Sequence, residues 1–325
     1  MRRIFILLFS LTTLLLNAQV SDFDSINFTR ADNIAKLNEG KSLENLPILA
    51  YDLTHKLNTD VEKFRAIFYW VSNNIIADDA LNSNVLHKRE KFKNDSLAFI
   101  SWDKKNKKKF FKKLIKQKRT VCTGYAYLIK ELCFFSNIEC EIINGYGRTF
   151  ESNVESLDLV NHSWNTVKLN NKWYLCDATW ASGYLAEKGK FIKEYNDGYF
   201  LSEPSLFEKN HIPENQNKEI NEIFPLVYSE TFKLNIDPIL PSTLKLNCKI
   251  GEEITFSYKN LNNENECIPS LIQLIGVKEI PFKIFDIQKK NNITSFKYTF
   301  TKKGNYDVHL KANDNIVATF IINVE

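Results

Sequence analysis

Thr120-Val-Cys-Thr-Gly-Tyr-Ala126 sets one cysteine, Cys122, where a basic, apolar-striped segment ends and a new helical pattern begins. The residues that follow, Ala126, Ile129, Leu132, Cys133 and Phe135, predict a helix over 122–135 with that stripe buried. Cys122 then occupies the first turn. Unpaired backbone N–H groups and the helix dipole stabilise a thiolate there, and the same amides can hold a developing oxyanion. Cys133 sits in the buried stripe, gains neither effect and reads as a small core residue.

Two further short motifs lie downstream, Asn161-His-Ser-Trp-Asn165 and Cys176-Asp-Ala-Thr-Trp180. Residues 162–169 and 172–179 read as apolar-rich strands joined by Asn170-Asn171, a turn pair that tolerates positive φ. With Leu169 opposite Lys172, Asp177 lies across from Trp164, which shares a strand face with His162. His162 and Asp177 become diagonal neighbours on one face, about 7 Å apart by backbone and closer by side chain. A three-residue turn would put them on opposite faces. A nucleophilic thiol needs a base to take its proton and a third group to orient that base, and the chain offers Cys, His and Asp in that order.

The 325 residues are long for one domain and comfortable for two. Apolar content of 44% is that of a globular protein, and a formal charge of +4 selects no partner. Residues 1–19 read as an export signal: Arg2 and Arg3, an apolar run over 4–16, then Asn17-Ala18-Gln19. That run is short for a bilayer span, and no later segment is long and apolar enough for one, so stable membrane insertion is not expected. Six cysteines in an exported chain raise the question of disulfides, with Cys248 and Cys267 able to bridge two strands, while Cys122 must stay unpaired to act. No CxxC pair, HExxH motif or Gly-rich phosphate loop is present, so neither a metal nor a nucleotide cofactor is expected, and nucleic acid is not expected as a partner.

Along the chain, residues 20–45 read as a short helix or arm. Thr59-Asp60-Val-Glu-Lys63 caps a helix whose buried face is Phe64, Ile67, Phe68, Val71 and Ile75. Residues 76–103 look like an irregular polar loop near a cleft. Residues 104–119 gather ten Lys and Arg around Phe110, Phe111, Leu114 and Ile115. This stretch is either a surface for an anionic partner such as a cell-envelope polymer, or a helix whose apolar residues face the core beneath solvated lysines. A strand is expected over 138–148. After about residue 228, alternating segments over 254–258, 282–287, 293–300, 306–310 and 317–324 predict an immunoglobulin-like β-sandwich without catalytic residue types.

With those motifs in view, residues 45–228 resemble the transglutaminase-like superfamily, nearest to the bacterial branch related to the kyphoscoliosis-type peptidases. The matching elements are Val121-Cys-Thr-Gly-Tyr-Ala126, Asn161-His-Ser-Trp164, Asp177-Ala-Thr-Trp180 with Gly183, and the run from Tyr199-Phe200 through Pro204 to Pro213. The resemblance implies an α+β, papain-like core in which a nucleophile helix packs on an antiparallel sheet. It also implies Cys122 as nucleophile, His162 as base and Asp177 as orienting carboxylate. Neither Trp70 nor Trp102 matches the family's upstream aromatic cleanly. The expected organisation is an export signal at 1–19, a transglutaminase-like domain at 20–228 and a β-sandwich at 229–325. The expected activity is thioester chemistry on a protein or peptide amide, ending in hydrolysis or amine transfer. The alternative is a catalytically silent binding or scaffold protein of the cell envelope.

Overall fold

The computed structural model describes residues 20–157, 159–186, 189–215, 223–262 and 267–325. The expected export signal at 1–19 lies outside the described residues. Three helices come first: α1 (Thr29–Leu37), α2 (Leu46–Thr54) and α3 (Asp60–Asn74). α3 begins at a reciprocal cap. Thr59 Oγ1 accepts from Glu62 N at 3.3 Å and the Glu62 carboxylate accepts from Thr59 N at 3.0 Å, an arrangement worth about 1 kcal/mol. Its Phe64, Ile67, Phe68 and Val71 are fully buried, as their spacing predicts.

Residues 76–103 are not an irregular loop. They form β1 (Ile76–Ala77), α4 (Asp79–Lys91) and the start of α5 (Ser96–Gln117). Asp78 and Asp95 cap the two helices, accepting from Leu81 N at 3.1 Å and from Ala98 N at 3.0 Å. α4 buries only Leu81 among its described residues, so the apolar period that would announce a helix is missing from its sequence. The basic stretch lies on α5, where Leu114 is buried, Phe110 and Phe111 are half-buried and Ile115 is exposed. Lys113 and Arg119 turn their charges toward Asp78.

β2 (Arg119–Thr120) runs parallel to β1 and leads into α6 (Cys122–Phe135), bounded as the sequence predicts. Phe135 is 40% exposed and does not belong to the buried stripe, which Tyr125 and Leu128 complete. α6 lies on an antiparallel sheet of β3 (Cys140–Gly147), β4 (His162–Leu169), β5 (Lys172–Cys176) and β8 (His211–Pro213), in the order β5-β4-β3-β8. Between β5 and β8 come α7 (Ala178–Ala181), the hairpin of β6 (Gly183–Leu185) and β7 (Phe191–Lys193), and α8 (Pro204–Phe207). Asn165 ties helix to sheet, donating to Ala126 O at 3.0 Å and Glu141 O at 3.2 Å.

The C-terminal part is all β apart from α9 (Ser229–Lys233). It comprises β9 (Leu226–Val227), β10 (Ile236–Leu240), β11 (Lys245–Cys248), β12 (Glu253–Asn260), β13 (Pro269–Ile275), β14 (Lys278–Phe282), β15 (Phe285–Lys290), β16 (Ile293–Thr299), β17 (Gly304–Ala312) and β18 (Asn315–Val324). One sheet runs β10-β12-β16-β15 and the other β11-β18-β17-β13-β14, with β9 also paired to β18. Their inner faces meet at Phe256 and Phe320, whose ring centroids are 5.5 Å apart. The strand expected at 282–287 is instead the crossing between the two sheets, with β14 ending at Phe282 and β15 starting at Phe285. Cys248 and Cys267 both enter this core as free thiols and form no bridge. No helix among the described residues is long and apolar enough to cross a membrane.

Phe64, fully buried, and Phe134, 69% exposed, set the scale of packing. Phe64→Ala is expected to lower unfolding free energy by about 3–5 kcal/mol, and Phe134→Ala by less than about 0.5 kcal/mol. Urea denaturation followed by tryptophan fluorescence measures both.

Candidate functional site

β2 delivers the chain to Val121, whose extended backbone (φ −107°, ψ 177°) forms the N-cap of α6 without a side-chain acceptor. Gly124 lies so close to Thr120 that a Cβ on it would come 2.0 Å from Thr120 Oγ1. Only glycine lets the helix start this near to β2. Cys122 opens that helix at 9% exposure, with its Sγ 3.9 Å from Asn161 O and His162 near enough to lower its thiol.

His162 begins β4 opposite Gly145 of β3. A Cβ on Gly147 would lie 2.9 Å from His162 Cβ, so glycine there makes room for the imidazole. Trp180 covers the ring, with centroids 4.7 Å apart and planes at 23°. His162 Nε2 lies 2.7 Å from Asp177 Oδ2. This leaves Nδ1 to face the thiol.

The β4–β5 register pairs Leu169 with Lys172 and Asn165 with Cys176, as the two-residue turn requires. The strand ends at Cys176, three residues short of the sequence expectation. Asp177 caps α7 instead, its Oδ1 accepting from Thr179 N at 2.7 Å, while its backbone N–H donates to Tyr199 O at 3.1 Å. The capping bond and the backbone bond fix the carboxylate, and Oδ2 is left to the imidazole. The structure therefore brings Cys122, His162 and Asp177 together, the imidazole bonded to the carboxylate and close to the thiol.

The electrostatics follow from burial and proximity. Burial pushes the Cys122 thiol up, but the hydrogen bond and charge of His162, helped by Arg89, bring it down to about 7. Burial pulls His162 down, yet the charge and hydrogen bond of Asp177, together with Cys122, push it up to about 10. Burial raises Asp177, and the two histidines beside it hold it well below the usual carboxylate range. Between about 7 and about 10 the favoured state is a thiolate beside an imidazolium.

Two residues of the site escape the sequence reading. Arg89 of α4 donates to Val160 O and lowers the thiol by its charge. It sits in the segment expected to be a loop. His211 of β8 contacts Asp177 Oδ2 through Nε2 at 3.1 Å. Its segment fits the family pattern, but a three-residue strand carries no period that would single out the histidine. Trp70 is a core residue whose indole N–H donates to Asn38 O at 2.7 Å, and Trp102 packs between Phe99 and Phe110 on α5. Donor atoms of His162, Asp177 and His211 lie within 4.8 Å of one another, a spacing that metal ligands also show. Here both Nε2 atoms point at one oxygen, so N–H···O bonds account for the contact, and a metal would need those protons removed.

Residues 48–178 match the family model described as Transglutaminase-like superfamily. The human kyphoscoliosis peptidase is 32% identical over 200 residues, covering 61% of this chain and 27% of that protein. The mouse kyphoscoliosis peptidase is 31% identical over 175 residues, covering 53% of this chain and 24% of that protein. The chain thus spans about a quarter of the length of these relatives. A solved structure described as a TGase aligns with 55% of this chain and 40% of its own, at 15% identity and a TM-score of 0.28.

Alkylation of Cys122 by iodoacetamide, followed by mass spectrometry across pH, reads the ion pair directly. The rate is expected to rise through pH about 7 in the wild type. In His162→Ala the rise moves to the ordinary thiol range near ~8.5, which lowers the rate at pH 7 by roughly tenfold or more.

Proposed function

We propose that this chain, a member of the transglutaminase-like superfamily, is an exported thiol enzyme acting on peptide or protein amides. The observation that carries the reading is the buried cluster of Cys122, His162 and Asp177, in which the imidazole bonds the carboxylate at 2.7 Å and lowers the thiol beside it. The Cys122 thiolate attacks the amide carbonyl carbon, and the carbonyl electrons move onto oxygen. Backbone N–H groups of the first α6 turn supply donors for that oxyanion. When the C–N bond breaks, His162 gives its Nδ1 proton to the leaving amine and a thioester remains on Cys122. His162, now neutral at Nδ1, takes a proton from water as the water oxygen attacks the thioester carbonyl carbon. The C–S bond then breaks, its electrons return to sulfur as the Cys122 thiolate, and the carboxylic acid product departs. An amine in place of water would give acyl transfer. The name peptidase borne by both relatives supports hydrolysis as the outcome.

Export rests on the charged, apolar and polar succession of residues 1–19. An anionic envelope polymer is the proposed partner of α5, where Lys104, Lys105, Lys108 and Lys112 are exposed. A second reading, a silent binding protein, draws on the low exposure of Cys122 and on Arg89 reaching from α4 to Val160 beside it.

Incubation with an unfolded protein substrate is expected to create new amino termini, abolished by Cys122→Ala. Incorporation of a fluorescent primary amine without new termini would mean transfer. Neither product, from a chain whose thiol is activated, would favour the binding reading. Changing Lys104, Lys105, Lys108 and Lys112 to Glu is expected to abolish salt-sensitive retention on an anionic polysaccharide column; unchanged retention would remove α5 as the contact.

A further inference from the structure

The carboxylate at the end of the line has a second histidine on it. His211 opens β8 opposite Gly147 of β3, and its side chain is wholly buried. Its Nε2 reaches the same Asp177 Oδ2 that His162 uses, at 3.1 Å against 2.7 Å. Its Nδ1 lies 2.6 Å from Asn210 Oδ1, and the Asn210 side chain also meets the Tyr199 hydroxyl. Phe207 stacks on the imidazole at 3.9 Å and 17°, and Trp180 closes the other side at 4.4 Å. So many fixed neighbours leave the ring one orientation.

From this geometry we infer that His211 is a positioning residue, a neutral donor that holds Asp177 for His162. The inference rests on the thiol-enzyme reading above. An ionised carboxylate only accepts, so Nε2 of each histidine carries a proton toward Oδ2. Burial draws His211 down to about 4, outweighing the pull of Asp177, and at neutral pH the ring is uncharged. A neutral ring protonated at Nε2 accepts at Nδ1. The structure sets Asn210 Oδ1 against Nδ1, so a ring that is neutral and protonated at Nε2 requires the carboxamide turned over, its NH2 on Nδ1 and its carbonyl on the Tyr199 hydroxyl. With the carboxamide so turned, the order of donation runs from Tyr199 through Asn210 and His211 to Asp177.

Neutrality matters here. A second cation beside Asp177 would repel the imidazolium that His162 becomes, whereas a neutral N–H fixes the carboxylate without competing for its charge. The charged and titratable groups facing this cluster are His162 from β4, Cys122 and Tyr125 from α6, Arg89 from α4, Cys176 from β5, Tyr199, and Glu230 from α9. His211 is the member that enters from the sheet edge. It takes one lone pair of Oδ2, and His162 is held along the other with Nδ1 turned to the thiol.

The test uses the whole chain and needs no substrate. The pH profile of Cys122 alkylation by iodoacetamide is compared in wild type, His211→Phe and His211→Gln. Phenylalanine keeps the stack on Phe207 and removes the donor; glutamine can return an N–H. His211→Phe is expected to raise the apparent thiol pKa by about one unit, and His211→Gln to recover part of that shift. A His211→Phe profile that superimposes on the wild type overturns the inference. If His211→Phe does not fold, nitrogen-15 histidine correlation spectra of the unmutated chain decide. His211 protonated at Nε2 alone at pH 7 supports it, and the Nδ1–H tautomer or a cation at pH 7 overturns it. A wild-type thiol titrating near ~8.5 would instead sink the enzyme reading, an outcome distinct from an activated thiol that ignores His211.

Discussion

The register of the β4–β5 hairpin is the constraint on which the site depends. Asn170 and Asn171 both take positive φ, 49° and 62°, so the connection closes in two residues and locks Leu169 to Lys172. Seven residues back along one strand and five forward along the other, that lock delivers His162 and Asp177 to the same face. A slip of one residue would turn one of them into the opposite layer. It would also expose Val167 and Tyr174, which are buried and paired across the hairpin. The packing that stabilises the sheet thus fixes the geometry of the site.

Placing three ionisable groups in a buried position is costly unless each answers another. Asp177 shows how the cost is met. One oxygen caps α7, the other accepts from two imidazoles, and the backbone N–H is taken by Tyr199 O. His162 transmits that charge to the thiol, and Cys122 adds a helix N-terminus whose cap residue, Val121, has no side chain to compete for the amides. The aromatic surround of Trp164, Trp180 and Phe207 keeps the dielectric low, which strengthens every one of these contacts.

Glycine has a specific part in this site. At Gly124 a side chain would strike Thr120, and at Gly147 it would strike His162 and Trp180. Both lie on elements that frame the line, α6 and β3, and both let a backbone approach where a Cβ would hold it off. The α4–α5 pair contributes differently, through long polar side chains such as Arg89 reaching over from a helix with little buried surface.

Much of this was legible in the chain itself. Local rules sufficed for the α3 cap at Thr59 and Glu62, the α6 boundaries and the two-residue Asn turn that sets the β4–β5 register. Each depends on neighbours within a few residues or on the period of one strand. Local rules failed where tertiary contact decided. Residues 79–91 became a helix without an apolar period, Asp177 left the strand to cap α7, and the strand expected at 282–287 split to change sheets. His211 and Arg89 lie 34 and 88 residues from Asp177, and no spacing along the chain connects them to it. The sequence determined the candidate residues of the site and the register that brings two of them together, because turn closure and strand alternation are local. The tertiary structure alone decided what charges, donors and aromatic walls surround them, because those contacts form between elements whose separation along the chain carries no information about distance in space.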